Sequence, residues 1–174
     1  MDLLVNVAVV LATVAVMEGV AYSTHRWVMH GPLGWGWHKS HHEPHDNTFE
    51  RNDLYAIVFT VLSGGLIAAG ILGVWPLRQV GIGMMIYGIL YFIVHDGLVH
   101  QRWPFRFVAR HGYLKRLVQA HKLHHAVDGR DGCVSFGFLY APPVAHLSEK
   151  LKQYASVRAP KGRRPNTPAE GAAK

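Results

Sequence analysis

The chain alternates between long apolar stretches and short polar stretches crowded with histidine. Residues 3–22 are almost wholly apolar, and about 20 such residues suffice for a helix to cross a bilayer. Residues 54–75 and 80–99 repeat the pattern, separated by a turn around Pro76 and Arg78. Three transmembrane helices are expected, the second and third forming a hairpin. A hairpin returns the chain to the side it left, so the polar stretches on either flank should face the same side. Gly64, Gly65, Gly70, Gly73, Gly81, Gly83 and Gly88 offer small positions at which spanning helices can approach closely. Residues 132–147 are apolar but short, and Pro142-Pro143 interrupts them. They read as a re-entrant or interfacial segment rather than a fourth span, because a crossing would carry the basic tail to the other side. A signal peptide is the rival reading of the first span, but no Lys or Arg precedes its apolar run. The fold class is therefore an all-α integral membrane protein with three transmembrane helices, a short fourth segment and a histidine-rich helical cap. Residues 1–150 form one domain, and residues 151–174, basic and from Ser156 on rich in Pro, Gly and Ala, read as a disordered tail.

Charge orients this picture. The net charge of +7 raises the question of nucleic acid, but no nucleic-acid motif accompanies it and the basic residues flank apolar spans. Of the 18 Lys and Arg residues, only Arg78 falls on the hairpin's far side if the tail stays with the cap. The positive-inside rule then makes the histidine side cytoplasmic, which implies the inner membrane of a cell. Trp27, Trp35 and Trp37 suit the membrane–water boundary. Cys133 is the one cysteine, so the chain has neither an internal disulfide nor a thiolate metal site.

The candidate chemistry lies in a doubled histidine pattern. His25 and His30 form an H-x-x-x-x-H pair, followed by His38, His41 and His42 as H-x-x-H-H. His95 and His100, then His121, His124 and His125, repeat both spacings in the same order. On an α-helix the second and third imidazoles of H-x-x-H-H lie at about −60° and +40° from the first, so three ring nitrogens point at one region. Neutral imidazole is the commonest metal ligand, and packing does not explain ten buried polar rings. Ten ligands exceed one ion; two ions with about five nitrogens each is the natural count. Residues five apart diverge by about 140° on an α-helix, so each H-x-x-x-x-H pair either brackets two ions or marks a helix end. Glu18, seven residues before His25, and Asp96 are candidates for orienting ligand imidazoles by hydrogen bonds. Glu43, Asp46, Glu50 and Asp53 are acids close by, some able to accept from ligand N–H groups. His45, His111 and His146 fall outside the pattern and read as surface residues. Imidazole suits zinc, copper, iron and nickel alike, and the E-x-x-H motif of soluble di-iron bundles is missing.

The order of these motifs around a transmembrane hairpin resembles the fatty acid hydroxylase superfamily of membrane non-haem di-iron oxygenases. His25-Arg26-Trp27-Val28-Met29-His30, the tract from Trp35 to Pro44, Asn52-Asp53-Leu54-Tyr55, the tract from His95 to Pro104 and the run from His121 to Pro143 are similar to its bacterial carotenoid-hydroxylating members. The resemblance covers residues 1–150. It implies two iron ions on the ten patterned histidines, with O2 as co-substrate. It further implies electrons from NAD(P)H through a ferredoxin-type carrier, and hydroxylation of a carotenoid at C3 of its β-ionone rings. A fatty acyl or sterol hydroxylase or desaturase is the alternative within the superfamily. A metal transporter would need charged groups lining a path through the spans, and a structural zinc protein would show no redox chemistry.

Overall fold

A computed structural model describes residues 2–43, 49–104 and 107–158. Among the described residues all regular structure is helical. The helices are α1 (Leu3–Ser23), α2 (Trp35–His42), α3 (Asp53–Ile71), α4 (Leu77–Tyr91), α5 (Gly112–His124) and α6 (Val144–Arg158). Three segments are long and apolar enough to cross a membrane: Leu3–Met29, Asp53–Ile71 and Leu77–Val99. Leu4, Leu11, Val61, Leu62 and Ile71 on the first two are exposed in the isolated chain, as side chains that face lipid must be.

Helix α4 packs against both α3 and α1, and two glycines set those approaches. A Cβ on Gly81 would lie 2.7 Å from the Ser63 carbonyl oxygen, and one on Gly83 would lie 2.6 Å from Thr13. Gly64, Gly65 and Gly88, by contrast, face open space. Helix α3 stops at Ile71, short of the end of its apolar run, where Gly73 turns the chain at φ +100°. The turn leads into α4 and makes the expected hairpin.

The first and third spans do not end where their α-helices end. Each widens into a π-helical stretch, Thr24–Met29 after α1 and Phe92–Val99 after α4. The His30 N–H donates to the His25 carbonyl at 3.0 Å, and the His100 N–H to the His95 carbonyl at 2.9 Å. A five-residue hydrogen bond stacks residue i+5 over residue i, as the four-residue bond does on an α-helix. The expectation that H-x-x-x-x-H pairs diverge or straddle a helix end is thereby corrected: the backbone changes its winding, and the two rings converge.

Above the spans, α2 and α5 carry the two H-x-x-H-H motifs. Residues 132–147 contain no helix long and apolar enough to cross a membrane. An irregular strap precedes α6, and that helix begins at Val144. Helix α6 also takes in residues 151–158, the start of the expected tail, while residues 159–174 lie outside the described residues. Val134, Ala141 and Leu147 pack with Leu117 and Ala120 of α5 to form the apolar core of the cap. Phe138 of the strap packs down onto Met17, Ala21 and Tyr87 of the spans.

Candidate metal centre

The ten patterned histidines meet in two adjoining sets of five. In the first set, His25 Nε2 and His30 Nε2 each lie 3.1 Å from His38 Nε2. His124 Nε2 lies 3.1 Å from His30 Nε2, and His42 Nε2 3.2 Å from His38 Nε2. In the second, His41 and His95 approach at 3.1 Å, His100 and His121 at 2.9 Å, and His125 and His121 at 2.8 Å, all through Nε2. The sets touch where the His42 and His125 rings stack at 4.5 Å.

Each H-x-x-H-H motif is divided between the sets. His38 and His42 serve the first set and His41 the second; His121 and His125 serve the second and His124 the first. The expectation that all three rings of a motif converge is corrected here. Neighbouring residues on an α-helix are about 100° apart, so His41 and His42, like His124 and His125, aim at different centres.

Hydrogen bonds on the far side of the rings decide their chemistry. His25 Nδ1 donates to the Phe136 carbonyl at 2.9 Å and His30 Nδ1 to that of Arg130 at 2.9 Å. His124 Nδ1 donates to the Val134 carbonyl at 3.0 Å and His38 Nδ1 to Asn52 Oδ1 at 2.7 Å. In the second set the acceptors are Glu50 Oε1, 3.0 Å from His41 Nδ1, and Asp96 Oδ1, 2.7 Å from His95 Nδ1. These oxygens only accept, so each Nδ1 carries the hydrogen and each Nε2 is left with a bare lone pair. Burial keeps the rings neutral. It pushes His38 down to about 3 and His125 to about 2, neighbouring imidazoles adding to the effect and Asn52 partly opposing it at His38. Burial likewise takes His42 to about 4, and it lowers His30, His41, His121 and His124.

Converging lone pairs with no hydrogen between them repel unless a cation sits among them. The spacing suits one. An imidazole–metal bond of about 2.1 Å gives an octahedral edge of about 3.0 Å and a tetrahedral edge of about 3.4 Å. The nitrogen separations within each set fall nearer the octahedral value, so the donor sets fit metal ions.

The proposed orienting groups divide. Asp96 meets His95 as expected. Glu18 does not touch an imidazole: it accepts from Tyr87 Oη at 2.7 Å and from the backbone N–H groups of Phe138, Leu139 and Tyr140 at 3.0–3.2 Å. A Cβ on Gly137 would lie 2.6 Å from Glu18 Oε1, so glycine makes room for that carboxylate. Glu18 thus pins the strap whose Val134 and Phe136 carbonyls hold His124 and His25. Glu43 pairs with Lys39 at 3.0 Å, and Asp46 and His45 lie outside the described residues. His111 and His146 are exposed. Cys133 is buried, and its Sγ lies within 4.8 Å of ring nitrogens of His42 and His124.

Sequence reasoning missed Asn52, the three strap carbonyls and Arg102. Arg102 bonds Asp53 through two 2.8 Å contacts and lies 3.3 Å from Glu50 and 3.7 Å from Asp96. It thereby ties together the acids behind the second set. Asn52 and Arg102 left a local trace, in the Asn52-Asp53-Leu54-Tyr55 tract and in the tract from His95 to Pro104.

Directly below the histidines, between the spans, is an apolar cavity of about 330 Å³. Met17, Phe59, Met84 and Tyr87 are among its lining residues, and Tyr91, Asp96 and Phe138 bound it on the histidine side. The Tyr91 ring stacks on His95 at 4.6 Å, and the Phe138 ring stacks on His25 at 5.0 Å. One aromatic ring therefore underlies each set. Ala56, Thr60, Gly88 and Phe92 of the lining are exposed, so the cavity opens sideways through the lipid-facing surface.

This architecture, apolar spans beneath two histidine sets, is that of a membrane-embedded hydroxylase. The chain belongs to the fatty acid hydroxylase family, whose description matches residues 10–142. It is 61% identical over 159 residues to a β-carotene hydroxylase of Paracoccus sp. (strain PC1), covering 91% of this chain and 97% of the relative. A β-carotene hydroxylase of Pantoea ananas is 58% identical over 154 residues, 88% of this chain and 87% of its own. A chloroplastic β-carotene 3-hydroxylase of Arabidopsis thaliana is 40% identical over 130 residues, 72% of this chain and 41% of its own. No solved structure matches the chain.

Proposed function

We propose that this protein hydroxylates carotenoids at C3 of their β-ionone rings, using O2 and two iron ions held by the ten histidines. The observation that carries this reading is the placement of two inward-facing sets of five neutral imidazoles over an apolar cavity open to lipid. The names of the relatives supply the substrate. Inserting one oxygen atom into a C–H bond while the other leaves as water consumes two electrons and two protons. A ferredoxin-type carrier fed by NAD(P)H is the proposed source. Bound iron would supply the oxygen-activating redox chemistry, which zinc cannot.

The chain's own residues do the rest. Carbonyls, an amide and carboxylates behind the rings hold six imidazoles, those of His25, His30, His38, His41, His95 and His124, in one tautomer, with Nε2 turned inward. The apolar cavity wall excludes water and accepts a hydrocarbon ring. Carotenoid length is close to the roughly 30 Å thickness of the hydrocarbon core. A molecule lying among the spans therefore presents its terminal ring at the depth of Tyr91 and Phe138. The excess of Lys and Arg on the cap supports a cytoplasmic orientation of this chemistry, at the inner membrane.

Expression in a host that accumulates β-carotene tests the proposal. Chromatography should show β-cryptoxanthin followed by zeaxanthin. Unchanged β-carotene alongside a hydroxylated fatty acid or sterol would move the substrate to another branch of the family. No hydroxylated product of any kind would sink the proposal.

A further inference from the structure

The two histidine sets look alike from the inside and differ on the outside. Behind the first set, among the described residues, four rings donate to neutral acceptors: the carbonyls of Phe136, Arg130 and Val134, and the Asn52 amide oxygen. Behind the second set His41 and His95 donate to carboxylates. The Glu50 side chain is 3% exposed and that of Asp96 13% exposed, so water screens neither strongly. Asp53 joins them through Arg102, whereas the carboxylates nearer the first set among the described residues, Asp131 by His30 and Asp128 by His42, are solvent-exposed and screened by water. Two bonds of the arginine, each 2.8 Å, go to Asp53. Asp96 Oδ1 is left to His95, and Glu50 Oε1 is shared between His41 and the longer contact to Arg102.

We infer that the chain binds its two metal ions with unequal strength, and that Glu50 and Asp96 make His41, His95, His100, His121 and His125 the tighter set. A carboxylate that accepts from Nδ1–H raises the basicity of Nε2 and brings negative charge towards the cation. Loss of such a partner typically weakens metal binding about 10–100-fold. Glu50 and Asp96 thus act as positioning residues with an electrostatic effect, and Asn52 is their neutral counterpart in the first set. This asymmetry rests on the metal-binding role proposed above, and it adds which ion enters first and which leaves last.

The test uses the full chain in detergent, stripped of metal and titrated with Co(II) against a chromophoric chelator. Unlike sets and repulsion between two bound ions would both produce two steps, so each set is measured alone. The His25→Ala protein, which also carries His30→Ala and His42→Ala, keeps only the second set, and the His95→Ala protein, which also carries His100→Ala and His121→Ala, keeps only the first. Cobalt should bind the His25→Ala protein at least about 10-fold more tightly than the His95→Ala protein. Adding Glu50→Gln should weaken cobalt about 10–100-fold in the His25→Ala protein and leave the His95→Ala protein within a few-fold. Adding Asn52→Asp to the His95→Ala protein should tighten it, a gain that loss of fold cannot mimic. Equal affinities of the two single-set proteins, or no gain from Asn52→Asp, would overturn the inference. Fewer than two Co(II) per unaltered chain would instead remove the metal-binding reading itself.

Discussion

His124 belongs to the second histidine motif, yet its Nε2 lies 3.1 Å from that of His30 in the first. His41 makes the reciprocal exchange, reaching His95 at 3.1 Å. Neither half of the chain completes a five-nitrogen set by itself.

From this exchange follows the effect of removing either residue. His41→Ala and His124→Ala should each empty one set and abolish hydroxylation, whereas both proteins should still fractionate with membranes, because the spans insert through their apolar faces. Product chromatography, with immunodetection of the membrane fraction, checks both halves of this statement. Full activity in either variant would remove that histidine from the ligand set.

The cavity offers a test that leaves the histidines untouched. Gly88 lines it, and a Cβ there would meet no atom within 4 Å. Gly88→Phe should occupy the space reserved for the terminal ring and lower turnover about 100-fold, the scale expected when a reacting group is displaced by about an ångström. Iron content should match the unaltered protein. Unimpaired turnover in Gly88→Phe would place the substrate elsewhere.

Glu18 accepts from three backbone N–H groups of the strap, and Gln would turn an NH2 group towards those donors. Glu18→Gln should cost about 1–3 kcal/mol, the penalty of leaving such groups unpaired. It should also reduce retained iron, because the Phe136 and Val134 carbonyls ride on the same strap. Thermal melting and iron analysis report the two effects separately.

The lowered histidines predict an acid response. Unfolded imidazoles titrate near 6.5, while His38 and His42 in the folded chain are pushed down to about 3 and about 4, mainly by burial. Below about 6.5 the unfolded chain therefore binds more protons than the folded one, and stability falls with pH. The metal-stripped protein should hold its melting temperature above pH 7 and lose it steadily between pH 6.5 and 4. The loaded protein should release metal over a similar range, since protons compete for the same nitrogens. A melting temperature independent of pH across this range would contradict the burial of these rings.

Sequence by itself determined three things here. Apolar length set the number of spans, because the bilayer imposes a fixed span length on a helix. The hairpin of the second and third spans then put both histidine motifs on one side by topology alone. Helical spacing placed His38, His41 and His42, and again His121, His124 and His125, on neighbouring faces. These features are local, so local patterns record them.

Tertiary structure decided what depends on partners distant in the chain. The π-helical winding at His25–His30 and His95–His100 has no signature in the spacing, which on an α-helix would separate the rings. The exchange of His41 and His124 is set by how α2 and α5 lie against the two π-helical stretches. Three of the acceptors behind the first set are backbone carbonyls, and every residue has one, so no residue type marks them. Glu18 looked like a partner for His25, seven residues on along the same helix. The strap instead brought three peptide N–H groups to it from about 120 residues away, and a carboxylate in an apolar setting takes the donors that reach it.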